Sequence, residues 1–166
     1  KPKFQKREEE LVNELEEILI SACMYRTVSD VPIGVFLSGG IDSSIVAAIL
    51  QKHYGNIHTF TIGFNEKSYN EAKDAKEIAK HIGSIHKEQI LDSKKAAKIF
   101  ENYTKIFDEP NGNYGVMPGI LVSNLAKENN IKVALVGDGG DEIFCGYNSY
   151  HNNYSIGRQI FKLPFI

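Results

Sequence analysis

The sequence has 166 residues, of which 42% are apolar and 24% charged, a composition typical of one globular domain with a sizeable core. A net charge of −2 argues against nucleic acid as the main partner, and apolar runs as short as Ile45–Leu50 exclude a membrane-spanning helix. Two separated cysteines, Cys23 and Cys145, form neither a disulfide framework nor a metal-ligand cluster, so a reducing cytoplasm is the expected location.

Helices and strands are predicted to alternate along the chain. An amphipathic helix over residues 8–27 comes first, and the predicted strands are Ile33–Leu37, His58–Phe64, Ile85–Leu91 and Lys132–Val136. Further helices are predicted over residues 42–54, 70–82, 92–105 and 120–130, with a loop over Asp108–Gly119. This order predicts an α/β fold, doubly wound, with a mainly parallel sheet and helices on both faces. The pattern beyond Tyr150 supports no firm prediction.

The stretch Ser38–Ser44 lies where the first predicted strand ends and a helix begins. Gly39 and Gly40 leave backbone N–H groups uncovered, the helix adds its own unpaired N–H groups, and three serines add hydroxyls. Such a turn favours phosphate oxygens. Asp42 would repel phosphate unless a Mg²⁺ ion lies between them. The alternative is a tight turn in which Asp42 only caps the helix.

A second glycine-rich turn, Gly137–Asp141, follows the fourth predicted strand and carries two aspartates. Ligands of doubly wound sheets bind at the carboxyl ends of the strands. If the first and fourth strands are neighbours, both turns face one crevice. The alternative is a solvated acidic loop.

The first turn resembles the pyrophosphate-binding loop Ser-Gly-Gly-x-Asp-Ser of the PP-loop ATP pyrophosphatases, which have the adenine nucleotide alpha hydrolase-like fold and cleave ATP between the α and β phosphates. Three further stretches, Val31–Leu37, Phe60–Phe64 and Val133–Tyr147, resemble the synthetase domain of glutamine-dependent asparagine synthetases. The resemblance extends from about Glu8 to Tyr150, with the motifs in the family's order.

The resemblance implies a role for each matching residue. The residues implied to hold the pyrophosphate end of ATP are Ser38, Gly39, Gly40, Asp42, Ser43 and Ser44. Leu37 and Ile62 are implied to line the adenine and ribose site, and Val136 and Gly137 to meet the nucleotide through the main chain. Asp42 and Asp141 are the implied Mg²⁺ ligands. Asp138 is the implied catalytic carboxylate, at a position where many members carry glutamate.

The implied function is a ligase reaction that converts aspartate to asparagine through β-aspartyl-AMP. ATP and Mg²⁺ are the expected cofactors, and glutamine is the expected source of ammonia. A homodimer of the full-length protein is compatible with this function. Asn111–Gly115 departs from the family pattern, so another carboxylate, for example in cell-surface polysaccharide synthesis, remains an alternative substrate. Two further alternatives are a sulfur-inserting or lysidine-forming tRNA enzyme, which the acidic net charge disfavours, and a non-catalytic nucleotide-binding module.

The chain opens with Lys1 rather than Met and ends in the apolar stretch Phe161–Ile166. We therefore expect residues 1–166 to be part of a synthetase domain, without the glutaminase domain and the remainder of the synthetase domain, and to be inactive alone. Glu71 and His86 also lie at positions that the family pattern marks. We interpret them as a surface carboxylate and a strand-end histidine.

Overall fold

The computed structural model describes residues 6–65, 70–109, 111–113, 115–147, 149–150 and 153–154. They divide into two compact units, residues 1–136 and residues 137–166, and each is described by itself. In the first unit the elements are α1 (Glu8–Tyr25), β1 (Ile33–Phe36), α2 (Ile41–Tyr54), β2 (His58–Phe64), α3 (Ala72–Ile82), β3 (Ile85–Leu91), α4 (Ser93–Glu101), α5 (Tyr103–Ile106), α6 (Val116–Glu128) and β4 (Val133–Leu135). The second unit contains α7 (Gly140–Phe144).

The four strands form one parallel sheet in the order β3-β2-β1-β4. The central strand β1 pairs with β2 on one side and with β4 on the other, so that Val35 lies beside both Thr59 and Leu135. Parallel neighbours need a crossover between them, and the helices along the chain provide it. The predicted doubly wound α/β class is confirmed.

Helices cover both faces of the sheet, as predicted. On one face, residues of α1, α2 and α3 pack against Val35 and Leu37 in a core that includes Leu50. On the other face, α6 packs against Phe60 through Val122 and Ala126. Because successive strand residues point to opposite faces, Phe60 lies on the α6 side and its neighbours Thr59 and Thr61 lie on the α2 and α3 side.

Two helices end as the sequence predicted. Gly55 after α2 and Gly83 after α3 have φ values of +78° and +76°, and their amides donate to the carbonyls of Gln51 and Ala79. Glycine reaches this left-handed conformation without steric cost, which makes it a common helix end. Asp92 begins α4, and its side chain accepts from the amide of Lys95, as a capping aspartate does.

Several predictions of the helix bounds were wrong. The helix predicted over residues 92–105 is interrupted at Asn102, between α4 and α5. The loop predicted to reach Gly119 stops earlier, because α6 begins at Val116. Pro118 is the third residue of that helix, where a missing N–H removes no helical hydrogen bond. The second glycine-rich turn contains a short helix, α7, that was not predicted.

Over the part of the chain that the structure describes, none of the helices combines the length and the apolar composition needed to cross a bilayer.

Candidate active site

We call Ser38–Ser44 the phosphate loop, after the ligand that the sequence predicts for it. It connects the carboxyl end of β1 to the first turn of α2. Gly39 has a φ of +89°, which disfavours any residue with a side chain. A Cβ atom at Gly39 would also lie 3.1 Å from both the Ala75 nitrogen and the Glu71 oxygen. The loop backbone therefore lies directly against the first turn of α3, and glycine is required for this approach.

Serine hydroxyls link the two ends of the phosphate loop. Ser38 N donates to Ser43 Oγ at 3.2 Å, and the two hydroxyl oxygens lie 3.0 Å apart. Ser43 is 6% exposed, whereas Ser38 and Gly40 are exposed. The Ser44 hydroxyl donates to the Gly40 carbonyl at 2.5 Å. Hydrogen bonds within the loop thus fix its conformation. Its exposed side carries the first N–H groups of α2, which have no partner inside the helix.

Asp42 is not the cap of α2. The N-cap is Gly40, Asp42 is the second helical residue, and no side-chain capping hydrogen bond is present. Its carboxylate is half-buried and, among the residues that the structure describes, takes part in no salt bridge. A helix N-terminus stabilises a nearby negative charge. The structure therefore does not support the alternative in which Asp42 serves only as a cap.

The first and fourth strands are neighbours, which the sequence had left open. Ile33 pairs with Val133 and Val35 with Leu135, both in parallel register. The carboxyl ends of β1 and β4 therefore lie at the same edge of the sheet, the edge at which ligands of doubly wound sheets bind. Val136, the residue after β4, is 43% exposed.

The second unit begins with the other predicted turn. Gly139 has a φ of +92° and precedes α7, which contains Asp141 and Glu142. Asp138 is exposed and Asp141 is half-buried. Gly146 N donates to the Asp141 carbonyl at 2.9 Å. A Cβ atom at Gly146 would overlap the Asp141 Oδ1 atom, so a side chain at this position would displace the carboxylate.

Tyr147, which follows the end of α7, contacts Glu142 in that helix. Its hydroxyl donates to Glu142 Oε1 at 2.9 Å. This hydrogen bond, with the charge of Glu142, raises the pKa of Tyr147 to about 12. In the described part of this turn, the carboxylates of Asp138 and Asp141 make no side-chain hydrogen bond or salt bridge.

Leu37 and Ile62, the residues predicted to line the adenine and ribose site, differ in burial. Leu37 is 1% exposed and packs in the core shared with α2 and α3. Ile62 is half-buried and packs on the opposite face of the sheet, against the Phe60 cluster. The Leu37 side chain therefore packs in the core immediately before the phosphate loop, and Ile62 is the more accessible of the two.

Two residues that contact the predicted turns were not predicted from the sequence. Thr61 donates a hydrogen bond from its hydroxyl to the Leu37 carbonyl at 2.5 Å, directly under the phosphate loop. Gly146 makes room for Asp141. A threonine on the inward face of a buried strand was the available signal for Thr61, because a buried hydroxyl needs a partner. No local signal marked Gly146.

His86 belongs to a polar cluster away from the phosphate loop. Its Nδ1 lies 3.0 Å from the Thr59 hydroxyl, which also lies 2.9 Å from the Ser84 hydroxyl. Burial lowers the pKa of His86, with a smaller opposing effect of Glu88. This environment agrees with the interpretation of His86 as a structural histidine.

One cavity opens between β3, α4 and α6. It is lined by Gln89, Lys95, Lys98, Ile99, Asn102, Ile106, Ile120, Leu121, Asn124 and Glu128. None of these is a predicted site residue, and the Lys95 ammonium already donates to the Ile90 carbonyl at 2.7 Å. The cavity therefore has no part in the candidate site.

Comparison with known proteins identifies relatives of the whole chain. It is 37% identical over 166 residues to a putative glutamine-hydrolyzing asparagine synthetase 2 of Methanocaldococcus jannaschii, an alignment that covers 99% of this chain and 31% of that protein. It is 32% identical over 152 residues to asparagine synthetase 1 of Bacillus subtilis, covering 92% of this chain and 24% of that protein. The chain thus spans less than a third of the length of these relatives.

A solved structure shares the fold. Glutamine-dependent NAD+ synthetase from Acinetobacter baumannii, in complex with ADP, superposes with a TM-score of 0.55 at 24% identity, covering 81% of this chain and 27% of that one. The family model described as asparagine synthase matches residues 14–164, a range that includes the phosphate loop and the second turn. With this match over most of its length, the chain belongs to the asparagine synthase family.

Proposed function

We propose that the full-length protein containing these residues is an ATP-dependent ligase that amidates a carboxylate, with aspartate as the substrate and asparagine as the product. The observation that carries the proposal is the phosphate loop at the carboxyl end of β1. It combines a left-handed glycine, exposed hydroxyl and amide groups and the N-terminus of a helix. This arrangement is suited to the pyrophosphate end of ATP.

The proposed reaction has two steps, formation of an acyl-adenylate and its attack by ammonia. A carboxylate oxygen of the substrate attacks the α-phosphorus of ATP, the bond to the β-phosphate breaks, and pyrophosphate leaves. Ammonia then attacks the acyl carbon, loses a proton, and AMP leaves with the attacking oxygen. In the first step the phosphate loop orients ATP and stabilises charge on the departing pyrophosphate, since such transfers depend mainly on positioning and electrostatics.

Asp138 is the proposed catalytic carboxylate of the second step. Its side chain is exposed, so a carboxylate oxygen is free to accept the proton that ammonia loses, directly or through a water molecule. Aspartate is one methylene shorter than the glutamate of many relatives, and the intervening water would make up this difference.

Asp42 and Asp141 are the proposed Mg²⁺ ligands. Both are half-buried carboxylates, the oxygen donors that Mg²⁺ prefers. Within the described ranges no group of three or more histidine, cysteine or acidic residues converges on one point. Mg²⁺ is usually bound by one or two carboxylates together with substrate phosphates and water. When bound, the ion neutralises charge on the phosphate oxygens.

The nucleoside end of ATP is proposed to extend from the phosphate loop along the carboxyl edge of the sheet. Main-chain groups of Val136 and Gly137, together with Ile62, are the proposed contacts, with Leu37 beneath the loop. The ADP complex of the structurally similar NAD+ synthetase supports an adenine nucleotide as the ligand.

Glutamine is the proposed source of ammonia, because the relatives are glutamine-hydrolyzing enzymes. A glutaminase region would then lie elsewhere in the longer protein. The Asn111–Gly115 stretch departs from the family pattern near the expected acceptor pocket, so a different carboxylate is the second candidate substrate.

The test is pyrophosphate release by the full-length protein with ATP, Mg²⁺, glutamine and aspartate. We expect release that depends on aspartate and is accompanied by equal amounts of AMP and asparagine. AMP formation that is independent of aspartate would contradict asparagine as the product, and a panel of other carboxylates would then identify the acceptor.

A further inference from the structure

A buried hydroxyl on β2 contacts the start of the phosphate loop. Thr61 is 3% exposed, and its Oγ1 donates to the Leu37 carbonyl at 2.5 Å. Leu37 is the last residue before the loop, and its amide donates to the Phe60 carbonyl at 2.9 Å. Leu37 is therefore bound to β2 through both its backbone groups, one by the neighbouring main chain and one by a side chain.

The peptide group between Leu37 and Ser38 is held on both sides. In a trans peptide the C=O and N–H groups point in opposite directions. The carbonyl accepts from Thr61 of β2, and the amide donates to the Ser43 hydroxyl of α2 at 3.2 Å. Rotation of this peptide plane would break both hydrogen bonds. Its orientation determines the direction in which the phosphate loop leaves the sheet.

The Thr61 hydroxyl supplies a hydrogen bond at the point where the backbone pairing of β1 with β2 ends. The last paired residue of β1 is Phe36, which lies beside Phe60. In the residues that the structure describes, the next carbonyl, that of Leu37, accepts from the Thr61 hydroxyl and from no backbone amide. A valine would fill the same volume and suit a buried strand equally well, but it would leave this buried carbonyl without its donor.

Thr59 provides a matched comparison within the same strand. It is 0% exposed and lies on the same face of β2 as Thr61, two residues earlier. Its hydroxyl contacts Ser84 and His86 on the β3 side, not the phosphate loop. The two threonines therefore lie on the same face of the same strand and are both buried. They differ in the groups that their hydroxyls contact.

We propose that Thr61 is a positioning residue for the nucleotide site, whose hydroxyl fixes the Leu37–Ser38 peptide and thereby the phosphate loop. This inference rests on the proposed function, in which the loop binds the pyrophosphate end of ATP. Thr61 itself lies under the loop and contacts the ligand only through it.

The experiment compares Thr61→Val, Thr61→Ser and Thr59→Val in the full-length protein. Two quantities are measured: the KM for ATP in the amidation reaction, and the Kd for inorganic pyrophosphate with Mg²⁺ by titration calorimetry. We expect Thr61→Val to raise both by about tenfold, the effect of one lost hydrogen bond. Thr61→Ser keeps the hydroxyl, so both constants should lie within about twofold of the wild-type values. Thr59→Val should lower the unfolding temperature but leave both constants unchanged.

Wild-type constants in Thr61→Val, or an equal rise in Thr59→Val, would overturn this inference alone, because the wild-type protein would still bind pyrophosphate. A wild-type protein that binds neither pyrophosphate nor ATP would overturn the proposed function and this inference with it.

Discussion

The Ser43 hydroxyl of α2 accepts a hydrogen bond from the Ser38 amide at 3.2 Å and lies 3.0 Å from the Ser38 hydroxyl. One side chain thus joins the residue that follows β1 to the first turn of the next helix. The same oxygen lies 3.3 Å from the Gly40 carbonyl, so it contacts three groups of the phosphate loop. The shape of the loop depends on this hydroxyl before any ligand binds.

Ser43→Ala removes these contacts and leaves the loop amide of Ser38 without its acceptor. We expect the KM for ATP to rise at least about tenfold and the stability to fall by about 1 kcal/mol. Pyrophosphate release at varied ATP and thermal unfolding measure the two effects. Ser123→Ala is the control, because it removes an exposed hydroxyl that donates to the Gly119 carbonyl within α6. Normal ATP kinetics in Ser43→Ala would contradict the role given to this hydroxyl.

Gly39→Ala should displace the phosphate loop from α3. Gly39 and Gly55 both have positive φ, so alanine costs about 1–2 kcal/mol at either position. Only at Gly39 would the added methyl also meet backbone atoms, at 3.1 Å, whereas nothing lies within 4 Å at Gly55. We expect both variants to unfold at lower temperature and only Gly39→Ala to lose nucleotide binding. Equal ATP affinity in the two variants would show that the contact with α3 does not position the loop.

Gly146→Ala tests the proposed role of Asp141. The new methyl would overlap Asp141 Oδ1, so the carboxylate must move. We expect amidation to fall by at least about tenfold, with a requirement for higher Mg²⁺ concentrations, because a displaced ligand weakens metal binding. Gly119→Ala adds a methyl where nothing lies within 4 Å and should leave activity intact. Unchanged Mg²⁺ dependence in Gly146→Ala would argue against Asp141 as a ligand.

We expect the folded protein to lose stability in mild acid because of His86. Burial is the main cause that lowers its pKa in the folded protein, Lys76 acts in the same direction, and Glu88 opposes them. The folded protein therefore binds fewer protons than the unfolded chain, whose histidine titrates near 6.5. The stability contribution is complete above about pH 6.5 and is lost as the pH falls towards the lower folded value.

The measurement is the unfolding temperature of the full-length protein between pH 7.5 and pH 5. His86→Gln removes the titrating group and should flatten this dependence, while His81→Gln, at an exposed position on α3, should not. A pH dependence in His86→Gln that matches the wild type would assign the acid sensitivity to other groups.

Local sequence patterns were sufficient to predict the four strands of the sheet, although not their order. The predicted bounds of β2 and β3 agree with the structure. Most residues of β2 are β-branched or aromatic, and β3 lies between Gly83, which ends α3, and Asp92, which caps α4. The break at Asn102 was not predictable in this way. Next to the break, the ring of Tyr103 contacts those of Phe100 and Phe107, with centroids 6.0 and 5.0 Å apart.

The candidate site was predictable where its residues are consecutive and not where they are brought together by folding. The phosphate loop follows from seven adjacent residues that share one chemistry. The hydrogen bond from Thr61 to Leu37 joins residues 24 positions apart and depends on the register between β1 and β2. The contact of Gly146 with Asp141 depends on the left-handed conformation of Cys145, with a φ of +58°, which few non-glycine residues adopt.

Transfer of oxygen from the substrate to AMP tests the proposed chemistry most directly. The full-length protein is incubated with ATP, Mg²⁺, glutamine and aspartate labelled with oxygen-18 in the side-chain carboxylate, and the AMP is analysed by mass spectrometry. If the carboxylate attacks the α-phosphorus, each AMP carries one labelled oxygen and asparagine retains the other. Unlabelled AMP, or the formation of ADP and phosphate instead of AMP and pyrophosphate, would contradict an acyl-adenylate of aspartate.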